Sequence, residues 1–344
     1  MSPTIFITLI FSMIMGTTIT LNSNHWLLAW VGLEINMLAI TPLISKTHHP
    51  RATEAAIKYF LAQTGASLLL LLSATLNAWH TGTWDITQMT NPLACASLTT
   101  ALCMKIGLAP MHLWLPEVMQ GTTLEISLII ATWQKLAPMA LLVLTTNSHS
   151  KPLLLVLATA SIIIGGWGGL NQTQTRKIMA YSSIANMGWM MIILPFSPKL
   201  TTLTLAIYIL MTTTLFMSLM PQKTKSIKTM GSTWTLSPPM TIIMMLTLTS
   251  LGGLPPMTGF MPKWLIMEEL VSKNMTPLAT LAAMATLISL FFYLRLFYST
   301  TMTIFPSPTN TEQKWRQNLK NTTMMALLTP PTLLLLPILP LITP

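Results

Sequence analysis

Charge is the scarcest property of this chain: of 344 residues, eight are acidic and eighteen are lysine or arginine, 8% in all. A soluble domain carries roughly 25% charged residues, so a water-facing surface of ordinary composition is excluded. Cysteine is nearly absent too. Cys95 and Cys103 stand eight residues apart in one apolar run, which leaves no disulfide framework, no CxxC metal pair and no ligand set for an iron–sulfur cluster. No strand-like run precedes a nucleotide-binding glycine fingerprint, and Gly165-Gly166-Trp167-Gly168-Gly169 reads as a helix-packing or helix-end feature. His48 and His49 are adjacent in a loop and offer no intramembrane pair for haem. No redox or metal centre is expected in this chain. The net charge of +10 does not point to nucleic acid, because the basic residues lie in short loops rather than along one face. No basic stretch precedes residues 3–21, which read as a first span and not as a cleavable leader.

What is present is apolar: 52% of residues are hydrophobic and the mean hydropathy is +0.62. An all-α, polytopic membrane protein follows. A crossing needs about 20 mostly apolar residues, and eleven stretches qualify, at 3–21, 25–45, 52–79, 92–119, 123–145, 151–170, 175–194, 199–220, 237–271, 276–303 and 322–342. Loops after even-numbered spans carry Lys46, Arg51, Arg176, Lys177, Lys223, Lys225, Lys228, Lys314, Arg316 and Lys320, whereas loops after odd-numbered spans carry Lys151, Lys199 and Lys273. Ten against three predicts that the N-terminus faces the positive-inside compartment and the C-terminus the other.

Two of these stretches are interrupted in the same way. Gly107-Leu108-Ala109-Pro110-Met111, with Pro116 five residues on, is echoed by Gly253-Leu254-Pro255-Pro256-Met257, with Pro262 five residues on. Proline cannot donate to the carbonyl four residues back and glycine loosens the same turn, so both helices are expected to break there. Spans four and nine are an odd number of crossings apart and therefore traverse in opposite senses. Paired Gly/Pro-interrupted segments of that kind mark inverted repeats that build ion sites. The expected organisation is a first repeat at 1–145, a second at 151–303, a polar linker at 304–321 and a C-terminal transmembrane helix at 322–344.

Four ionisable residues stand near span centres or just after a break: Glu34, Lys105, Lys135 and Lys263. A lone lysine at a helix centre costs about 2.5–3.5 kcal/mol even on the mildest scale, so each is a functional candidate by default. The plainer alternative is that each is paired and merely pins the bundle. One acid cannot neutralise three amines, however, and an amine without a permanent partner can exchange its proton. His112, seven residues beyond Lys105, is open to two readings: a relay on the same helix face, or a hydrogen-bonded packing residue. Glu54, Glu117, Glu125, Glu268 and Glu269 lie near span ends, where solvation or capping accounts for them.

The broken Lys-Ile-Gly-Leu-Ala-Pro-Met-His-Leu-Trp-Leu-Pro-Glu segment, the downstream Gly-Gly-Leu-Pro-Pro-Met and the Trp-Val-Gly-Leu-Glu-Ile-Asn run around Glu34 resemble the antiporter-like subunits of respiratory complex I. The resemblance covers essentially the whole chain. It implies two inverted five-helix repeats, each with a discontinuous helix, and a proton path along a membrane arm. It casts Glu34 as the acid of the first repeat, Lys105 as its central lysine, Lys135 as the bridging lysine and Lys263 as the lysine of the second repeat. It further implies the mitochondrial inner membrane, with the N-terminus on the matrix side and the C-terminus facing the intermembrane space. Partners would be other membrane-arm subunits, accessory subunits and phospholipids including cardiolipin. FMN, iron–sulfur clusters and ubiquinone would belong to other subunits. A stand-alone cation/proton antiporter and a passive scaffold are the competing readings.

Overall fold

A computed structural model describes residues 2–222, 224–302 and 322–338. The helices are α1 (Pro3–Asn22), α2 (Trp26–Ile44), α3 (Pro50–Thr81), α4 (Pro92–Ile106), α5 (Trp114–Gly121), α6 (Leu124–Ala131), α7 (Trp133–Leu144) and α8 (Lys151–Leu170). They continue as α9 (Thr175–Ile193), α10 (Pro198–Gln222), α11 (Ile227–Met230), α12 (Thr233–Leu236), α13 (Pro238–Gly252), α14 (Phe260–Ser272), α15 (Thr276–Thr301) and α16 (Thr322–Leu334). Among the described residues there is no strand, only two isolated bridges, His25 with Asp85 and Gln174 with Ser226.

Local chemistry sets several boundaries. α1, α3 and α4 begin at Pro3, Pro50 and Pro92, each preceded by a polar cap: Ser2 Oγ, His49 Nδ1 and Asn91 Oδ1 accept backbone N–H bonds from Ile5, Arg51 and Leu93. Proline tolerates the first helical position because its missing N–H has no partner there anyway. Within the helices, hydroxyls bond back to carbonyls one turn earlier, as Ser73 does to Leu70 O at 2.6 Å, Thr99 to Ala96 O at 2.8 Å and Thr247 to Met244 O at 2.9 Å. That habit lets a threonine-rich helix sit in an apolar medium with its polar atoms satisfied.

The chain forms two compact units. The first takes in residues up to Ser161 together with Leu194–Pro198. Here α2 packs on α1 and α3, α3 on α4 and α5, and α7 on α1 and α4. α1 and α2 meet at glycines: a Cβ on Gly32 would lie 2.8 Å from Gly16 O and 2.6 Å from Thr20 Cγ2. Small residues allow this backbone approach, and it brings Asn36, one turn along from Gly32, against Gly16. Gly32→Val is expected to cost about 1–3 kcal/mol through overpacking, read as a lower melting temperature of the assembly that contains the chain.

The second unit takes in Ile162–Ile193 and the residues from Lys199 onward. α9 is its enclosed helix, with Ile178, Ser182, Ser183, Met187 and Met191 all buried. α13 packs on α15 and α16, and α14 on α15 and α9. The entry to α9 pairs with the entry to α11: Thr175 N–H donates to Lys225 O and Ile227 N–H to Thr173 O. Between the expected spans 199–220 and 237–271 lie the two short helices α11 and α12.

Seven helices, among the described residues, are long and apolar enough to cross a membrane, counting α6 and α7 together as residues 124–144. Four of the eleven expected spans are not among them. Spans four and nine are pairs of short helices, each half below bilayer length. α9, expected as span seven, opens with Arg176 and Lys177. The last expected span is described only as Thr322–Leu334 and a 3-10 turn, Leu336–Ile338. The expected polar linker at 304–321 lies outside the described residues.

Candidate functional site

Both breaks are built the same way at the backbone. α4 ends at Ile106 with Gly107 left-handed at φ 86°, and α13 ends at Gly252 with Gly253 left-handed at φ 79°. That conformation is open to glycine at no steric cost. Each glycine N–H turns back onto carbonyls of the last turn: Gly107 onto Cys103 and Met104, Gly253 onto Ser250 and Thr249. Helix resumes at Trp114 and at Phe260. Both intervening turns contain a cis peptide bond, Ala109–Pro110 and Pro255–Pro256.

Side chains also bond to carbonyls of these last turns, and here the two breaks differ. At the first, Trp114 Nε1 donates to Met104 O at 3.1 Å and Gln63 Nε2 on α3 donates to Lys105 O at 3.2 Å. At the second, the lysine closes the gap itself: Lys263 Nζ donates to Gly252 O at 2.8 Å. Lys105 thus precedes its break and Lys263 follows its own. The residue in register with Lys263 is Glu117, which stays near the surface and pairs with Lys58 at 2.6 Å; Lys58 also reaches Glu54 at 2.5 Å. This exposed trio ties α5 to α3.

In the first unit the predicted site residues converge. Lys105 and Lys135 are only 6% and 3% exposed. Both line one cavity of about 10 Å³ together with Tyr59, Gln63, Trp114 and Gln134. A second cavity of about 10 Å³ joins Lys105, Tyr59, Gln63 and Gln134 to Asn36 and Pro138. Each is the size of a single water, and each offers the several polar partners a buried water needs. Glu34 lies near enough for its charge to act on Lys105 and Tyr59, while its Oε1 is buried without a hydrogen-bond partner among the described residues. Among the described residues, Lys105 and Lys263 form no ion pair with a carboxylate.

Lys135 stands just past Thr132, where φ −115° and ψ −69° separate α6 from α7. Nothing in the Ala-Thr-Trp sequence there announces an interruption. His112 requires a correction. Its relay reading assumed two helical turns from Lys105, but residues 107–113 are a turn, so no common helix face exists. Its ring is buried, with Nδ1 3.1 Å from Pro110 O.

Sequence reasoning missed Tyr59, Gln63 and Gln134, which line both cavities. A faint signal was available: Tyr59 and Gln63 are one turn apart on α3, and Gln134 adjoins Lys135. Gln63→Leu is expected to leave the Lys105 carbonyl without its side-chain donor and cost about 1–3 kcal/mol, measured as a drop in thermal stability.

Residues 23–289 match the family model of the NADH:quinone oxidoreductase/Mrp antiporter transmembrane region. The chain belongs to this family. The oxidoreductase/Mrp family model leaves off at residue 289, and residues 290–343 match the model of the NADH dehydrogenase subunit 2 C-terminus. NADH-ubiquinone oxidoreductase chain 2 of Coturnix japonica is 54% identical over 343 residues, 100% of this chain and 99% of the quail protein. The Gallus gallus chain 2 is 54% identical over 331 residues, 96% of each protein. Among solved structures, a chain of respiratory complex I from Thermus thermophilus, determined with bound aureothin, superposes with a TM-score of 0.81. It is 27% identical, over 97% of this chain and 80% of that one.

Proposed function

We propose that this chain is a proton-translocating subunit in the membrane arm of an NADH:ubiquinone oxidoreductase, with Glu34, Lys105, Lys135 and Lys263 as its proton-carrying groups. The observation that carries the reading is the meeting of two buried amines, Lys105 and Lys135, on one water-sized cavity with an acid close by. A structural ion pair in this chain looks different: Lys58 sits half in solvent, held at 2.5 and 2.6 Å by two carboxylates. Energy released by quinone reduction elsewhere would change the charge state around Glu34 and Lys105 and drive a proton onto Lys135 and then toward Lys263.

The architecture that goes with this reading is eleven crossings: inverted five-helix repeats at 1–145 and 151–303, a linker at 304–321 and a final helix at 322–344. The N-terminus lies on the matrix side of the mitochondrial inner membrane and the C-terminus in the intermembrane space. The chain holds no redox centre. FMN, iron–sulfur clusters and ubiquinone reside in other subunits, and its neighbours are membrane-arm and accessory subunits and phospholipids such as cardiolipin.

A stand-alone cation/proton antiporter is the second reading, favoured by the breadth of a family that includes Mrp antiporters. Isolation separates the two. The chain is expected to purify only within a large NADH-oxidising assembly and to exchange no cations for protons when reconstituted alone in liposomes. Exchange by the lone chain would favour the antiporter.

A further inference from the structure

The second unit holds a larger cavity, about 30 Å³, beside the α13–α14 break. By the same measure it has room for roughly two waters. Asn186 and Trp189 of α9, Thr204 and Tyr208 of α10, and Gly259 and Lys263 at the break line it. Asn186 makes a side-chain hydrogen bond with Tyr293 on α15, and its buried Nδ2 carries two N–H donors, one more than that bond uses. A buried N–H left over is costly, and a water in the cavity is the natural acceptor for it.

The other walls supply what such water needs. Lys263 has three donors and spends one on Gly252 O. Thr204 Oγ1 donates to Thr201 O at 2.9 Å, which leaves its lone pairs to accept. The cavity therefore presents a donor amide, an accepting hydroxyl, a phenol and the lysine around a space of two waters. The first unit places Lys105 in matching company, with a tyrosine and glutamine amides on a water-sized space.

We propose that Asn186 is a positioning residue for Lys263: it anchors a short water file through which the lysine exchanges its proton. This rests on the reading of Lys263 as a proton carrier. In the step, an N–H bond of the ammonium breaks as an O–H bond forms on the adjacent water. That water hands a different proton to the next, and the Asn186 amide is unchanged throughout.

The test uses the assembled complex in sealed vesicles, measuring NADH oxidation, proton translocation and the H₂O/D₂O rate ratio. Asn186→Leu, which keeps bulk but removes the amide, is expected to lose most coupled pumping and to raise the isotope ratio. Asn186→Ser, which keeps a small polar anchor, is expected to restore both toward native values. Lys263→Met is the reference. If it pumps normally, the reading of Lys263 itself fails; if it is impaired while Asn186→Leu pumps normally with an unchanged isotope ratio, only the role of Asn186 fails. A high-resolution map of the native complex does not depend on variant assembly: ordered water touching both Asn186 and Lys263 supports the proposal, and a dry cavity overturns it.

Discussion

Replacing Lys105 by Met is expected to leave the assembly intact, or slightly more stable, while coupled NADH oxidation and proton translocation fall by roughly tenfold or more, the scale set by removing a positioned proton-transfer group. The two halves of that outcome come from the same burial. Lys105 is packed among α3, α4 and α7 side chains, its own carbonyl held by Gln63, and among the described residues it has no ion pair to lose. Methionine fills nearly the same volume and removes a charge that costs about 2.5–3.5 kcal/mol to hold at mid-membrane. A scaffold lysine behaves in the opposite sense: breaking a buried pair costs about 3–5 kcal/mol, because the partner charge is stranded. Melting temperature and pumping, measured on the same preparation, separate the two accounts.

Gly253→Ala is expected to impair function out of proportion to its effect on stability. An alanine held in the left-handed region costs about 1–2 kcal/mol. Its Cβ would also lie 2.8 Å from both Cδ and Nζ of Lys263. That clash is with the far end of a flexible side chain, so it is relieved by moving the lysine, at the expense of the bond from Lys263 Nζ to Gly252 O. Gly82 is the built-in control: it is left-handed at φ 71° with nothing within 4 Å of an added Cβ. Gly82→Ala and Gly253→Ala should therefore lower the melting temperature by similar amounts, and only Gly253→Ala should depress pumping. Equal pumping in the two variants would mean that the position of Lys263 at the break is immaterial.

Glycine and proline act on their own turn, which is why the interruptions after Ile106 and Gly252 can be read from sequence. The break at Thr132 cannot, because no residue there forbids a helix. Buried lysines betray themselves by charge, so Lys105 and Lys135 stand out in an apolar run. Tyr59, Gln63 and Gln134 do not, since uncharged polar residues recur throughout these spans and only the fold shows which ones face a common cavity. His112 shows the limit of periodicity: counting turns from Lys105 fails once the helix between them is gone. The pairing of Lys263 with Gly252 O was likewise hidden, because it depends on how the chain doubles back after Gly253.

Proton counting in the Lys135→Met complex bears most directly on the claim that the buried amines carry protons. Lys135 is the amine that shares a cavity with Lys105, and its loss leaves the glycine and proline turns after Ile106 and Gly252 untouched. With NADH oxidation and proton release followed together in sealed vesicles, the account predicts that both fall in step while the complex remains assembled. Native rates of oxidation with a native number of protons per NADH would contradict it.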